Sequence, residues 1–359
     1  MAKTMSFILA LLLSVVSLVF PSKPEGEYDS SQWETNYPYI FVHGLMGWGQ
    51  YDAQYKAMPY WGMFGGELMK KLNAKGYDCY AASVAGTASA WDRACELYAQ
   101  LTGTVVDYGK EHSERCGHER FGKDFTGNAL IEKWDDENKI NILGHSFGGA
   151  TIRVFASLMA VGSEAEMNAT DAGDISPFFT GGKESWIHSL TSLAAPHNGT
   201  TAYDSSSNDV DSAAYDMYID NAHALNETIY TSNKTYYFSI PCSATNKNAD
   251  GTYSADNSMM EIIFRSSANQ IGKYTGVTEA GYVIDESWQE NDGLVNTLSA
   301  MSPSSAPAKS FDANNITKGV WNIMPIYRGD HMSLQGGLLK TNTDVERLYT
   351  EHLHMINCL

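Results

Sequence analysis

The sequence predicts an α/β fold: a mostly parallel central sheet with helices on both faces. Three observations carry that prediction. Short strand-like runs alternate with helical patterns along the chain. Two of those runs end in sharp glycine turns, at His43-Gly44 and at Gly144-His145. The composition, 43% hydrophobic and 18% charged, supplies a sizeable core and excludes global disorder.

The elements follow in order. Residues 39–42 form a short apolar strand. Residues 65–75 read as a helix stopped by Gly76, since glycine adopts the left-handed conformation that closes a helix. Ser89 can cap a helix from Trp91, with Ala94, Leu97, Tyr98, Leu101 and Val105 on one face. Residues 140–143 are a second strand, and a helix over 149–160 follows at once. Residues 187–193 and 236–240 read as further strands, and 343–352 as a closing helix. Loop-rich insertions fall at 162–185 and 200–216, and surface loops at 245–257 and 299–310.

Residues 1–22 read as a secretory signal: Lys3, an apolar run from Phe7 to Phe20, then Pro21-Ser22. The run is short of the roughly 20 residues that span a bilayer. We therefore expect a secreted, extracellular protein with one domain over 23–359. A net charge of -18 argues against nucleic acid or an anionic membrane as main partner. Five cysteines (79, 95, 116, 242 and 358) leave at least one unpaired, and no CxxC pair offers a thiolate zinc cluster. Cys95 falls on the apolar stripe and reads as a buried small hydrophobe. Asn-x-Ser/Thr sequons occur at Asn168, Asn198, Asn226, Asn233 and Asn315.

The most informative segment is Gly144-His145-Ser146-Phe147-Gly148, a G-x-S-x-G between a strand and a helix. It predicts a strained turn that lifts Ser146 above the sheet as a nucleophile, as in the α/β-hydrolase fold. A serine needs a base and an orienting acid, which in this fold follow in the order Ser, Asp, His. Asp292, in Glu290-Asn291-Asp292-Gly293, and His331, in Gly329-Asp330-His331, fill those roles. Asp285, Asp312 and Asp330 compete for the acid, and His352 and His354 for the base. The oxyanion needs two backbone amides. Phe147 is one, and the early loop His43-Gly44-Leu45-Met46-Gly47 supplies Leu45 as the other.

With these segments in view, the sequence resembles the secreted, thermostable, zinc-containing lipases of Bacillus and Geobacillus. The resemblance covers most of residues 37–331. It rests on Val42-His43-Gly44-Leu45-Met46-Gly47-Trp48-Gly49, Trp91-Asp92-Arg93-Ala94-Cys95-Glu96, Asp107-Tyr108-Gly109 and His118-Glu119-Arg120-Phe121-Gly122. It continues through His145-Ser146-Phe147-Gly148-Gly149, Ala195-Pro196-His197-Asn198-Gly199-Thr200-Thr201, Glu290-Asn291-Asp292-Gly293 and Lys318-Gly319-Val320-Trp321-Asn322. It implies an acylglycerol hydrolase with Ser146, Asp292 and His331 as triad. The alternative is a carboxylesterase for short, soluble esters. The resemblance also implies a structural zinc held by Asp92, His112, His118 and Asp216. Two imidazoles and two carboxylates make a closed tetrahedral site. The expected partners are an ester substrate and, transiently, a lipid–water interface, with the protein a monomer.

Three departures stand out. The resembled family has Ala before the His-Ser pair, where this chain has Gly144. Its calcium-binding acidic stretch after the catalytic histidine is here Met332-Ser333-Leu334-Gln335-Gly336-Gly337-Leu338, without a carboxylate, so calcium is not expected. Its long lid segment is reduced to residues 202–215, which are polar. A lid that opens on lipid needs an apolar face, so weak or absent interfacial activation is expected, with an exposed acyl pocket.

Overall fold

A computed structural model describes residues 28–203, 206–337 and 342–359. The signal expected at residues 1–22 lies outside the described residues. Seven strands build the central sheet: β1 (Tyr39–Val42), β2 (Cys79–Ala82), β3 (Ile140–His145), β4 (Ile187–Leu193), β5 (Tyr236–Ile240), β6 (Ala308–Ser310) and β7 (Trp321–Ile323). The helices are α1 (Leu68–Ala74), α2 (Ala90–Thr102), α3 (Lys110–Cys116), α4 (Gly148–Val161), α5 (Glu164–Ala169), α6 (Ala213–Asp216), α7 (Ile219–Thr228), α8 (Arg265–Ile271) and α9 (Asn342–Asn357).

The strand order is β6-β7-β5-β4-β3-β1-β2, and every pairing is parallel. Parallel strands are buried on both faces, and β1, β3 and β4 are buried at every position. One core, around Ile142, Phe155 and Leu190, lies beneath α2 and α4. The other, around Phe41, Leu143 and Tyr349, lies beneath α1 and α9. The expected α/β class is the observed one. Val42 pairs with Gly144, so the loops after β1 and β3 leave the sheet side by side. That register positions the site described below.

Several boundaries differ from expectation. The first α-helix starts at Leu68 rather than Gly65, because Gly62 and Gly66 at φ 98° and 96° close off a separate 3-10 turn at Met63–Gly65. Helix α2 ends at Thr102, so Val105 leaves its stripe and pairs, within residues 105–107, with Phe121–Asp124 as an antiparallel ribbon. Residues 245–257, expected as a loop, contain a hairpin pairing Thr245–Lys247 with Tyr253–Ala255. Strands β6 and β7 are three residues each, too short to show a period-2 pattern. The insertion at 162–185 holds helix α5. Cys79, Cys95, Cys116 and Cys358 are free thiols, and Cys95 is buried. Asn198 and Asn226 are buried too, with the Asn226 amide donating to Asn198 Oδ1 at 3.0 Å.

Candidate active site

The nucleophile turn is built by close backbone approach. Ser146 sits at φ 55°, in the left-handed region that side chains rarely adopt. A Cβ on Gly144 would come 2.3 Å from the Gly148 carbonyl oxygen, and one on Gly148 would come 2.4 Å from that of Val42. Both glycines are therefore steric requirements of this turn, and the alanine found in the resembled family does not fit this backbone at position 144. The Ser146 amide donates to the Leu193 carbonyl at 2.8 Å, which fixes the turn against the end of β4.

Asp292 and His331 come from loops after β5 and β7, yet they meet Ser146. His331 Nε2 lies 2.8 Å from Ser146 Oγ, and His331 Nδ1 lies 2.8 Å from Asp292 Oδ2. The Asp292 carboxylate also accepts the amides of Leu294 (3.0 Å) and Val295 (2.8 Å), and the His331 amide donates to the Asp292 carbonyl at 2.9 Å. Acid, base and nucleophile are all buried. With Asp292 facing Nδ1, that nitrogen carries the proton and Nε2 is free to accept from the serine.

The rivals are engaged elsewhere. Asp285 and Asp312 cap exposed turns. His352 bonds Thr191 Oγ1 at 2.8 Å, and His354 accepts the Trp33 indole N–H at 2.9 Å. Asp330 accepts the Glu261 amide (2.8 Å) and the Ser333 hydroxyl (2.9 Å), which ties the His331 loop to a neighbouring turn.

The Leu45 loop reaches the nucleophile: a Cβ on Gly44 would stand 2.7 Å from Ser146 Cβ. The amides of Leu45 and Phe147 donate to no acceptor among the described residues. Phe147 immediately precedes α4, whose N-terminus adds a positive end to the site.

Four further residues support the site through long-range bonds. The Gly44 amide donates to the Tyr60 hydroxyl at 3.0 Å, Tyr60 lies 2.6 Å from His145 Nδ1, and His145 Nε2 lies 2.8 Å from the His331 carbonyl. Burial first, then the nearby His331 charge, holds His145 well below the usual histidine range. Arg93, fully buried, donates to the His43 carbonyl, and its guanidinium lies 5.0 Å over the Phe147 ring. Burial lowers its pKa to about 10, so it stays cationic at neutral pH. His43 Nε2 accepts the Val84 amide at 3.3 Å. Each role depends on a partner distant in the sequence, which no local pattern shows.

A second cluster lies beneath α2. His112 Nε2 is 3.0 Å from Asp92 Oδ1 and 3.3 Å from Asp211 Oδ1; His118 Nε2 is 3.2 Å from Asp211 Oδ2 and 3.9 Å from Asp92 Oδ1. Ligands about 2.0–2.1 Å from one tetrahedral ion stand about 3.3 Å apart, close to these spacings. His118 Nε2 and Asp211 Oδ1 are buried without a hydrogen-bond partner. His118 Nδ1 lies 2.9 Å from the Glu119 carbonyl, which requires a proton there and leaves the Nε2 lone pair aimed inward. Cys116 Sγ lies within 4.8 Å of donor atoms of His112, His118 and Asp211. These groups fit a metal ion. The expected ligand Asp216 is corrected: its Oδ2 accepts the Ala90 amide at 2.7 Å, and it pairs with neither histidine. Burial raises its pKa to about 7. Asp211, from the polar segment 202–215, faces both histidines instead.

With this geometry established, comparison with known proteins is informative. The family model described as "Lipase-like, C-terminal domain" matches residues 35–210 and 207–358. The chain is 30% identical over 370 residues to a lipase of Staphylococcus hyicus, covering 87% of this chain and 56% of that protein. It thus spans about half the length of the relatives it matches in sequence. Among solved structures, EstA from Clostridium botulinum aligns with TM-score 0.84 and 30% identity, over 95% of this chain and 92% of that one. The S. hyicus lipase structure aligns with TM-score 0.80 and 28% identity, over 92% and 98%.

Proposed function

The chain belongs to the family of lipase-like C-terminal domains, and on that premise we propose that it hydrolyses carboxylic esters of acylglycerols through a serine acyl-enzyme. The observation that carries the proposal is the unbroken line from Ser146 Oγ through His331 to Asp292, at 2.8 Å per step. In this reading Ser146 attacks the ester carbonyl while His331 Nε2 takes its proton. Asp292 holds the imidazole and stabilises its cation. The Leu45 and Phe147 amides hold the oxyanion, with the Arg93 charge behind them. His331 returns the proton to the departing alcohol, then activates the water that releases the acid.

We further propose that the structural zinc ion implied by the resemblance to the Bacillus and Geobacillus lipases is held by Asp92, His112 and His118 with Asp211, in place of the Asp216 that the resemblance implies. Two imidazoles and two carboxylates leave no open position for chemistry, so the ion would tie residues 107–122 and 206–212 to α2. An extracellular site of action, supported by the Phe7–Phe20 run, belongs to the same reading.

The test is hydrolysis of p-nitrophenyl esters from acetate to palmitate and of emulsified triolein, by wild type and Ser146→Ala. Turnover of the long chains and triolein by wild type alone is expected. Turnover of short esters alone would make the protein a carboxylesterase, and full activity of Ser146→Ala would overturn the mechanism.

A further inference from the structure

A cavity of about 420 Å³ lies between α9 and the chain that leaves β7, and no triad residue lines it. Its wall is largely apolar: Ile240, Phe311, Met324, Leu348 and Met355. One water takes roughly 30 Å³ of liquid. The space is therefore larger than a packing defect and falls in the size range of small-molecule sites. Phe311, Met324, Leu348 and Met355 are half-buried, so the cavity reaches the surface beside them.

The buried polar residue of the wall is His352, 4% exposed. Its Nε2 lies 2.8 Å from Thr191 Oγ1, and its ring stands edge-on to Phe238 at 5.3 Å. The Thr191 hydroxyl has no other acceptor among the described residues, so it donates to Nε2. Burial lowers the His352 pKa to about 4, which leaves a neutral ring with one proton at pH 7. That proton is on Nδ1, and Nδ1 is buried without a hydrogen-bond partner. A native fold seldom keeps a buried N–H unpaired unless something supplies the acceptor.

Charge narrows the ligand. The ionised side chains at the border of the cavity are Arg328 and Glu351. The Arg328 guanidinium donates to Ser243 Oγ at 3.0 Å and to the Thr245 carbonyl at 3.2 Å, so it is engaged outside the cavity. Glu351 is exposed and repels a carboxylate. A carbonyl oxygen on an aliphatic body suits both the His352 N–H and the apolar wall, and a free carboxylate suits neither border charge.

We propose that this cavity is a second ligand site, which takes an uncharged aliphatic carbonyl compound with its oxygen on His352 Nδ1. The class covers ketones, and acyl esters held away from Ser146. The site goes beyond the ester-hydrolase reading and does not depend on it. Its wall includes Tyr327 and Arg328, and the chain reaches His331 three residues later, so an occupant contacts the segment that leads to the catalytic base.

The test uses the full chain carrying Ser146→Ala, and the probe is methyl heptyl ketone, which has no ester to hydrolyse. Histidine-selective NMR should show the His352 Nδ1 proton shifting when the ketone is added at pH 7, and nonanoate should leave it in place. By calorimetry, His352→Phe should bind the ketone about tenfold more weakly. Met355→Trp fills the cavity from α9 and should abolish the same binding, with a circular-dichroism spectrum like that of the parent to show that lost binding is not lost folding. In the chain with Ser146 intact, both substitutions should leave p-nitrophenyl acetate turnover unchanged. Equal ketone affinity in the parent, His352→Phe and Met355→Trp overturns the proposal, because the ketone then sits elsewhere, as at the active site. Nonanoate binding as tight as the ketone overturns the uncharged class. The readout is binding, so the hydrolase reading fails or stands separately.

Discussion

The hydrogen bond between Tyr60 and His145 runs one way, from the phenol to Nδ1 of the imidazole. His145 Nε2 faces the His331 carbonyl, which only accepts, so Nε2 carries the proton and Nδ1 must accept. The Tyr60 oxygen then accepts from the Gly44 amide. One directional chain therefore links the Gly44–Leu45 loop to the backbone of His331.

Tyr60→Phe breaks that chain at its centre. It leaves the Gly44 amide and His145 Nδ1 buried without partners, at a cost of about 1–3 kcal/mol for each unsatisfied group. We expect a lower unfolding midpoint and a kcat on soluble esters reduced roughly tenfold or more, with KM little changed. Loss of stability with unaltered kcat would confine Tyr60 to a structural role.

Asp292→Asn keeps the shape of the acid but favours the wrong tautomer of His331. A fall of roughly 10⁴ in kcat is expected at neutral pH, with the fold intact by circular dichroism. A fall below about tenfold would remove Asp292 from the triad.

The two aspartates near the histidine pair give opposite outcomes. Asp211→Asn should lower bound zinc, measured by elemental analysis after dialysis against a weak chelator, and should lower the melting temperature. Asp216→Asn retains an oxygen for the Ala90 amide and should keep the metal. Zinc loss in Asp216→Asn alone would restore the ligand set implied by resemblance.

Burial lowers the pKa of His188 and of His352 to about 4. Unfolded histidine titrates near 6.5, so below that pH the unfolded chain binds protons that the folded chain refuses. Stability is full above pH 6.5 and falls as pH drops toward 4, by up to about 1.4 kcal/mol per pH unit for each histidine. Urea midpoints between pH 7 and 4.5 should show this decline, and His352→Gln should make it shallower. An unchanged slope would remove His352 as a contributor.

The sequence by itself determined the α/β class and the strand–turn–helix around Ser146, because those signals are local. A glycine too close to a neighbouring carbonyl, or an apolar run of four residues, is written in adjacent positions. It also marked the Gly44–Leu45 loop, since a first strand followed by His-Gly is a local pattern. Tertiary structure alone decided which long-range partners meet. Asp211 and Asp216 are five residues apart and chemically identical, and only the turn between them determines which carboxylate faces His112 and His118. Tyr60, Arg93 and His145 support the site by bonding backbone groups, and a backbone group has no letter in the sequence. Strand β7 becomes a strand because β5 offers an edge to pair with, and β6 because β7 does, not because three residues carry a pattern of their own.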